Sequence, residues 1–385
     1  MSSLRCACGR TYQPKPEHAG RSIRCKCGRV LPIPGGADHP MGRGVLARLV
    51  RRWTPWACWG WLIGVVVFAV LFWWLADAHW TATLILYGPR WPLLLPVPVL
   101  LVAALVVDRR LLAPILIGVL VVLGPVMGGR TGWRALMGAP PGTPLRIVTF
   151  NMRGGQNPLW REVGPRLASL NPDLVLIQEC LATIGEEGRL PAGWSFRRDG
   201  NLCLLSRRPV DDVRAIDVIQ TQEDGMTGLA VAYPVPLEDG FVLVGNVHLE
   251  TPRGGIERFR WGGEVTGMSR NSLLRDAGSR RVSQWLLDQG RGDDIQAGIV
   301  AGDFNLPVES RIYRRHWSRC VNAFSRRGRG FGYTRILPKW SARIDHVLVC
   351  DPRWKVVAVS LGPDLGSDHL PVVVDLVRAE PTLGR

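Results

Sequence analysis

Charged residues are almost missing from residues 53–128, where the chain has only five of them. A soluble domain needs polar side chains on its exposed faces, so this composition argues against an ordinary soluble surface here. Three apolar runs in this region could cross a bilayer. They are residues 56–76, 91–107 and 111–127. The last two are short and are interrupted by prolines, and buried helices of a soluble core are the alternative interpretation.

Acidic residues are scarce at the N-terminus. Residues 1–52 contain eleven Lys and Arg but only two acidic residues, whereas residues 145–385 contain 32 basic and 28 acidic ones. Most of the formal net charge of +16 therefore lies outside the long C-terminal part, and much of it lies beside the first apolar run. For this reason, the net charge alone does not indicate a nucleic-acid-binding protein.

Lys and Arg are also missing from the connection after the first apolar run, up to Arg90, whereas Arg109 and Arg110 lie between the second and third runs. By the positive-inside rule, the N-terminus and the turn at 108–110 are cytoplasmic. Three spans then place the C-terminal domain outside the inner or plasma membrane. If the second and third runs instead formed a re-entrant hairpin, the C-terminal domain could lie on either side of the membrane. The first run starts too late and is too long for a signal peptide.

Cysteine is infrequent, and four of the nine cysteines form two C-x-C pairs, each followed by glycine. The pairs are Cys6 with Cys8 and Cys25 with Cys27. They resemble a small zinc ribbon, although the usual spacing is C-x-x-C. A cytoplasmic location favours structural Zn²⁺ over a disulfide, with free thiols as a third alternative. The other five cysteines lack paired spacing and are interpreted as small core residues. They are Cys58, Cys180, Cys203, Cys320 and Cys350.

Several short polar motifs border runs of aliphatic residues in the last 240 or so residues. They are TFN at 149–151, IQE at 177–179, NVHLE at 246–250, GDFN at 302–305, RID at 343–345 and SDH at 367–369. An aliphatic run that ends on a carboxylate, amide or imidazole is typical of a buried strand that delivers a polar group to the rim of a sheet.

In this order, the motifs resemble those of the endonuclease/exonuclease/phosphatase superfamily, the metal-dependent phosphohydrolases related to DNase I. The resemblance extends from about Leu145 to about Leu376. It implies an α/β fold, a four-layer α/β sandwich of two mixed β-sheets flanked by helices. Here the sandwich is preceded by transmembrane helices and a small zinc-ribbon-like head. The substrate is not implied, since one scaffold serves many phosphate esters.

The resemblance also implies a metal and phosphate site. Glu179 and Asp368 match the family's Mg²⁺ (or Mn²⁺) ligands, and hard oxygen ligands suit these ions. Asn151 matches the amide near the metal and the phosphate. Arg153 takes a position that is acidic in abasic-site endonucleases, so it is a candidate for binding substrate phosphate. Capping or turn-closing roles remain the alternative for these polar residues.

Catalytic roles are implied for five further residues. Asp303 would activate or orient the attacking water, and Asn305 would donate hydrogen bonds to the phosphoryl oxygens. His369 would contact the scissile phosphate, with its imidazole oriented by Asp345. His248 matches a second histidine that hydrogen-bonds the phosphate.

The predicted organisation is a zinc-ribbon-like head at 1–34, a basic linker at 35–52, a transmembrane region of three helices at 53–128, a linker at 129–144 and a catalytic domain at 145–385. The predicted function is a membrane-anchored, Mg²⁺-dependent phosphoesterase that acts on nucleic acid or on a phospholipid or inositol headgroup. A catalytically silent phosphate-binding scaffold that recruits partners through the head is the alternative.

An arginine-rich segment without acidic residues lies between Glu309 and Asp345, directly before the RID motif. Its position predicts that these arginines lie near the site, where guanidinium groups suit phosphate oxygens. A solvated basic face is the alternative interpretation.

Overall fold

The structure is a computed structural model, and the part of the chain that it describes consists of thirteen segments. These are residues 3–15, 18, 20–33, 41–138, 140–185, 190–208, 210, 214–219, 228–238, 240–260, 265–288, 297–337 and 340–379. The chain divides into two compact units. One contains residues 1–60 and 98–115, and the other contains residues 61–97 and 116–385.

The N-terminal head consists of two small hairpins. Their strands are β1 (Leu4–Arg5), β2 (Thr11–Tyr12), β3 (Ser22–Arg24) and β4 (Val30–Pro32). Each turn carries one cysteine pair followed by a glycine, Gly9 or Gly28, with φ near +90°. Glycine adopts this left-handed conformation without strain, which allows the tight turn. The four sulfur atoms lie within 4.8 Å of one another, so this cluster could hold a metal ion.

Four apolar helices follow the head. They are α1 (Met41–Leu75), α2 (Trp80–Tyr87), α3 (Val97–Val107) and α4 (Leu112–Val121), and α4 continues as a π-helix over Val122–Val126. Among the described residues, two helical segments are long and apolar enough to cross a membrane, Ala47–Leu75 and Arg109–Val126. A third candidate is the pair Trp80–Tyr87 and Trp91–Val107, which is bent by 81°. The bend contains Pro89, which cannot donate a backbone hydrogen bond to continue the helix.

The remainder of the second unit is a mixed α/β structure. Its strands are β5 (Arg130–Thr131), β6 (Gly142–Asn151), β7 (Leu174–Gln178), β8 (Ser195–Asp199), β9 (Leu202–Ser206), β10 (Arg214–Ile219), β11 (Gly228–Leu237), β12 (Gly240–His248), β13 (Ala297–Asp303), β14 (Val321–Asn322), β15 (Arg329–Gly330), β16 (Arg335–Leu337), β17 (Trp340–Ala342), β18 (Asp345–Val349), β19 (Trp354–Leu361) and β20 (Val372–Ala379). Its helices are α5 (Trp160–Ser169), α6 (Arg253–Arg260), α7 (Val265–Asp288), α8 (Arg311–His316) and α9 (Ala323–Arg327).

Two six-stranded sheets form the centre of this unit. Their strand orders are β19-β20-β6-β7-β9-β8 and β10-β11-β12-β13-β18-β14. Apolar side chains from both sheets, such as Leu176 and Val244, share one buried core. Helix α5 packs on the outer face of the first sheet through Leu167, and α7 and α8 pack on the second through Leu286 and Ile312. The predicted four-layer α/β sandwich is confirmed.

Strand pairing brings the polar motifs to one edge of the sandwich. The pairs β6–β7 and β12–β13 are parallel, so their carboxyl ends meet at the same edge. Asp303 lies opposite His248 on one side and opposite Asp345 on the other. The register of the second sheet thus places three of the predicted catalytic residues side by side.

The cysteines of the sandwich are not all unpaired core residues. Cys180 forms a disulfide with Cys203, and Cys320 forms one with Cys350. The interpretation from spacing was wrong for these four because strand pairing brings them together. Cys180 follows β7, which pairs with β9 at Cys203, and the second pair flanks β14 and β18. Cys58 is a buried free thiol.

We predict that thiol titration will detect this pairing. The full chain, denatured without reductant after metal chelation, should show five reactive thiols, because five of the nine cysteines are free. After reduction it should show nine. Nine reactive thiols before reduction would contradict both disulfides, and mass spectrometry of unreduced peptides serves as the independent control.

Candidate active site

A cavity of about 260 Å³ lies where the polar strand ends meet. Eight of its lining residues form the candidate active site. They are Arg153, Glu179, His248, Asp303, Asn305, Arg335, Asp368 and His369. Asn151 is buried next to them and contacts two of the carboxylates. The structure therefore brings together every predicted catalytic, substrate and magnesium-site residue, and Asp345 lies behind His369, outside the cavity lining.

The carboxylate of Asp303 is at the centre of the site and only 1% of the residue is exposed. Its Oδ2 accepts a hydrogen bond of 3.0 Å from Asn151 Nδ2, and its Oδ1 accepts one of 2.8 Å from the backbone N–H of Asn305. Burial, and next the charge of Asp345, raise the pKa of Asp303 above its usual range. Gly302 precedes it at φ +145°, where a Cβ would lie 1.9 Å from the carbonyl oxygen of Val247. Only glycine fits this position.

His369 and Asp345 form the predicted imidazole–carboxylate pair. The distance from His369 Nδ1 to Asp345 Oδ2 is 2.8 Å, and His369 Nε2 lies 3.9 Å from Asp303 Oδ2. Burial opposes the charged imidazolium, but the carboxylates of Asp345 and Asp303 outweigh it and raise the pKa of His369 to about 9. Burial also opposes ionisation of Asp345, yet its contact with His369 holds the pKa of Asp345 below its usual range. His369 is therefore positively charged at neutral pH.

His248 also lines this cavity. Its Nε2 is 3.8 Å from Glu179 Oε1 and 3.8 Å from Asp303 Oδ2, which is too long for direct hydrogen bonds. Its Nδ1 is buried and has no hydrogen-bond partner among the described residues. The Nε2 atom of His248 is therefore not committed to a hydrogen bond with either carboxylate.

The predicted magnesium ligands are on the wall of the cavity. Glu179 Oε1 accepts a hydrogen bond of 3.1 Å from Asn151 Nδ2. Asp368 is paired with Arg335 at 3.3 Å and lies 3.8 Å from Arg153. Outside the cysteine head, one group of three acidic or histidine ligand atoms within 4.8 Å of one another occurs in the described part of the chain. It consists of Asp303, Asp345 and His369, and thus contains neither predicted ligand.

Three residues of the site have a left-handed backbone. The φ angles are +63° for Arg153, +50° for Glu179 and +51° for Asn305. Non-glycine residues in this region cost roughly 1–3 kcal/mol each and persist only where the surrounding structure holds them. Three of the five such residues in the described chain line this one cavity.

Sequence reasoning did not assign several cavity residues. Arg335 was noticed only as part of the basic segment, yet it contacts Asp368 and its buried Nε has no hydrogen-bond partner among the described residues. Among the arginines of that segment, it alone lines the cavity. Others bond backbone carbonyls elsewhere, as Arg314 does with Trp73 and Arg327 with Val356. The cavity lining thus contains one arginine of the segment that was predicted to lie near the site. Arg253 on α6 also lines the cavity and carried no sequence signal.

The arrangement supplies the groups that the hydrolysis of a phosphate ester requires. A buried carboxylate can accept a proton, an imidazolium can donate one, and arginines at the rim can bind phosphoryl oxygens. Glu179 and Asp368 offer hard oxygen atoms suited to a divalent cation.

Solved structures with a similar arrangement of layers have low sequence identity to this chain. An endonuclease/exonuclease/phosphatase family protein from Bacteroides thetaiotaomicron is 16% identical to this chain, with a TM-score of 0.46. The match covers 64% of this chain and 99% of that one. The catalytic domain of human Nocturnin is 18% identical with a TM-score of 0.45, over 62% and 96%. Sphingomyelinase C from Streptomyces griseocarneus is 16% identical with a TM-score of 0.40, over 62% and 100%.

No curated protein matches the sequence. Residues 148–369, more than half of the chain, match the profile of the Endonuclease/Exonuclease/phosphatase family. The matched range begins in β6 and ends at His369, so it contains all the polar motifs described above. The chain therefore belongs to the endonuclease/exonuclease/phosphatase family, and it is a phosphoesterase- or nuclease-type hydrolase.

Proposed function

We propose that this protein is a membrane-anchored, divalent-metal-dependent phosphoesterase with its catalytic domain outside the membrane. The observation that supports catalysis most directly is the buried Asp303 carboxylate, 3.9 Å from the Nε2 atom of a charged His369. A silent phosphate-binding scaffold would not require a buried acid–base pair, which is costly to desolvate.

A divalent cation fits the donor set of this site. Glu179, Asp303 and Asp368 present carboxylate oxygens to one cavity, and Mg²⁺ and Mn²⁺ prefer such oxygen ligands. Glu179 is the best-placed ligand. Its side chain is 31% exposed, and among the described residues its carboxylate accepts a hydrogen bond only from Asn151 Nδ2. When bound, the cation would neutralise charge on the phosphoryl group and lower the pKa of water.

The residues themselves can move the protons of the reaction. The attacking water gives its proton to Asp303 as its oxygen bonds to phosphorus, and Asp303 is suited to accept because burial raises its pKa. The bond to the leaving oxygen breaks, and His369 Nε2 donates a proton to that oxygen. Asp345 holds the imidazole through Nδ1 and stabilises its positive charge. Asn305 and His248 bind the phosphoryl oxygens.

The substrate is a phosphate ester whose charge is matched by arginines. Arg153, Arg253 and Arg335 line the cavity, and guanidinium groups bind phosphate oxygens with two parallel hydrogen bonds. Both a phosphodiester of nucleic acid and a phospholipid or inositol headgroup meet this description.

Membrane anchoring is supported by the exposed side chains of the apolar helices. Trp56, Trp74, Val99 and Val106 are each more than 70% exposed, which is typical of surfaces that face lipid. The connection after the first helix also contacts the sandwich. Asp77 bonds Arg275, and Tyr87 bonds the backbone of Asn305. This connection and the sandwich must therefore lie on the same side of the membrane.

The contacts of that connection favour one topology. If Trp91–Val107 did not cross the membrane, the sandwich and Asp77 would lie on opposite sides, although they are in contact. We therefore propose three crossings, a cytoplasmic N-terminus and an extracytoplasmic sandwich. Its two disulfides fit an oxidising compartment, whereas the free cysteines of the head fit structural Zn²⁺ in the cytoplasm.

Metal dependence can be tested with the purified full chain and bis-nitrophenyl phosphate. Chelation with EDTA should abolish hydrolysis, and Mg²⁺ or Mn²⁺ should restore it. Glu179→Gln should raise the metal concentration needed, because one ligand charge is lost. Glu162→Gln, on the exposed face of α5, is the matched control. Full activity in excess EDTA would exclude the proposed metal role.

A double-mutant cycle can test the acid–base pair. Asp303→Ala and His369→Ala should each lower kcat by roughly 10²–10⁴, the range for positioned acid–base groups. Their losses should not add, because both residues act on one transition state. Asp345→Asn should cost less than His369→Ala and should add little to it. A full additional loss from Asp345→Asn in the His369→Ala background would show that Asp345 does not act through His369. Unfolding temperatures check that each variant is folded.

Reporter fusions can test the topology. Alkaline phosphatase fused after Arg385 should be active, because three crossings place the C-terminus outside. A fluorescent protein at the N-terminus should fluoresce in the cytoplasm, and a phosphatase inserted after Asp108 should be inactive. An inactive C-terminal phosphatase with an intact fusion protein would contradict either the orientation or the number of crossings.

A further inference from the structure

A fully buried arginine connects the sandwich to the segment 77–90, which follows α1 and contains α2. Arg275 lies in α7, and its side chain is 1% exposed. Its Nη1 donates to Asp77 Oδ1 at 2.9 Å and to the hydroxyl of Tyr87 at 2.7 Å. Its other nitrogens donate to Asn271 and Ser272 of the same helix. The charge of Arg275 is thus balanced by a carboxylate outside the predicted catalytic domain.

Tyr87 extends this network into the active site. Its hydroxyl accepts from Arg275 and donates to the backbone carbonyl oxygen of Asn305 at 2.9 Å. The guanidinium of Arg275 lies over the ring of Tyr87, with its Cζ 5.3 Å from the ring centroid. Asn305 is one of the residues with left-handed φ, and its N–H binds Asp303 Oδ1. The tyrosine hydroxyl therefore binds the carbonyl of the same residue whose N–H binds the Asp303 carboxylate.

The same segment holds the chain beyond Asn305. The hydroxyl of Ser310, at the N-terminus of α8, donates to Asp77 Oδ2. Arg90 lies 3.5 Å from Glu309, with both side chains almost fully buried. The loop from Asn305 to Ser310 is thus bound at both ends by residues 77–90.

None of these three residues, Asp77, Tyr87 or Arg275, lines the catalytic cavity. Their most direct connection to the catalytic groups is the hydrogen bond from Tyr87 to Asn305, whose N–H binds Asp303. A strained backbone persists only where its surroundings hold it, and the hydrogen bond from Tyr87 is a contact that holds Asn305. Without it, the carbonyl of Asn305 would be a buried acceptor that has lost this partner.

We propose that Tyr87, held in place by Arg275 and Asp77, is a positioning residue for Asp303 and Asn305. The segment 77–90, which contains α2, is then a functional part of the catalytic domain. This inference rests on the proposed function, because it assigns the catalytic role to Asp303 and Asn305.

The test compares two tyrosine-to-phenylalanine variants in the full chain, in detergent with Mg²⁺ and bis-nitrophenyl phosphate. Tyr87→Phe removes the hydrogen bond to Asn305 and keeps the ring. It should lower kcat about tenfold with KM unchanged, because the groups it positions act in the transition state. Tyr233→Phe is the matched control. Like Tyr87, Tyr233 is buried. Its hydroxyl donates a hydrogen bond to the Asp199 carboxylate, and it lies in the core and does not line the cavity.

Hydrogen exchange gives a readout that does not depend on activity. In Tyr87→Phe the backbone N–H of Asn305 should exchange about tenfold faster, since its loop has lost a hydrogen bond, whereas Tyr233→Phe should leave it unchanged. If Tyr87→Phe does not fold, Asp77→Asn makes the same test, because it weakens the contact with Arg275 and keeps an oxygen acceptor.

The two proposals can fail separately. If the wild-type chain hydrolyses no phosphate ester, the proposed function fails, and faster exchange in Tyr87→Phe would still support positioning of the loop. Wild-type kcat together with unchanged exchange in Tyr87→Phe would overturn the inference. Equal losses in the two phenylalanine variants would also overturn it, because they would show a general effect on stability.

Discussion

The buried carboxylate of Asp303 is the constraint on which the rest of the site depends. An ionised group in this position is costly unless hydrogen bonds and opposite charge compensate for the lost water. The compensation comes from separate parts of the sandwich, the amide of Asn151 at the end of β6, the N–H of Asn305 and the imidazolium of His369. These groups converge only because the two sheets face each other with their polar strand ends at the same edge.

Support for this site extends beyond the sandwich. Asp77 and Tyr87 belong to the segment 77–90, yet they bind Arg275 and the backbone of Asn305. The predicted domain boundary at residue 145 follows from the family resemblance, which begins at about Leu145. A protein cut there would keep Arg275 and lose the carboxylate that balances its charge. Breaking such a buried pair is strongly destabilising, so the folding unit is larger than the family profile.

Cysteine chemistry differs between the two ends of the chain. The head keeps four thiols within 4.8 Å of one another, whereas the sandwich contains two disulfides. A reducing compartment preserves the first state and an oxidising compartment the second, and the proposed topology provides both.

The sequence by itself determined the family and the four-layer fold and indicated most of the candidate site, because its polar motifs lie at the ends of aliphatic strands. Strand periodicity and short motifs are local, and Asp303, His369 and Asp345 could be identified from them. Only the tertiary structure decided which cysteines pair, that Arg335 and Arg253 line the cavity, and that Tyr87 contacts Asn305. These contacts join residues far apart in sequence, such as the 218 positions between Tyr87 and Asn305, and depend on strand order and helix docking, which no local pattern encodes.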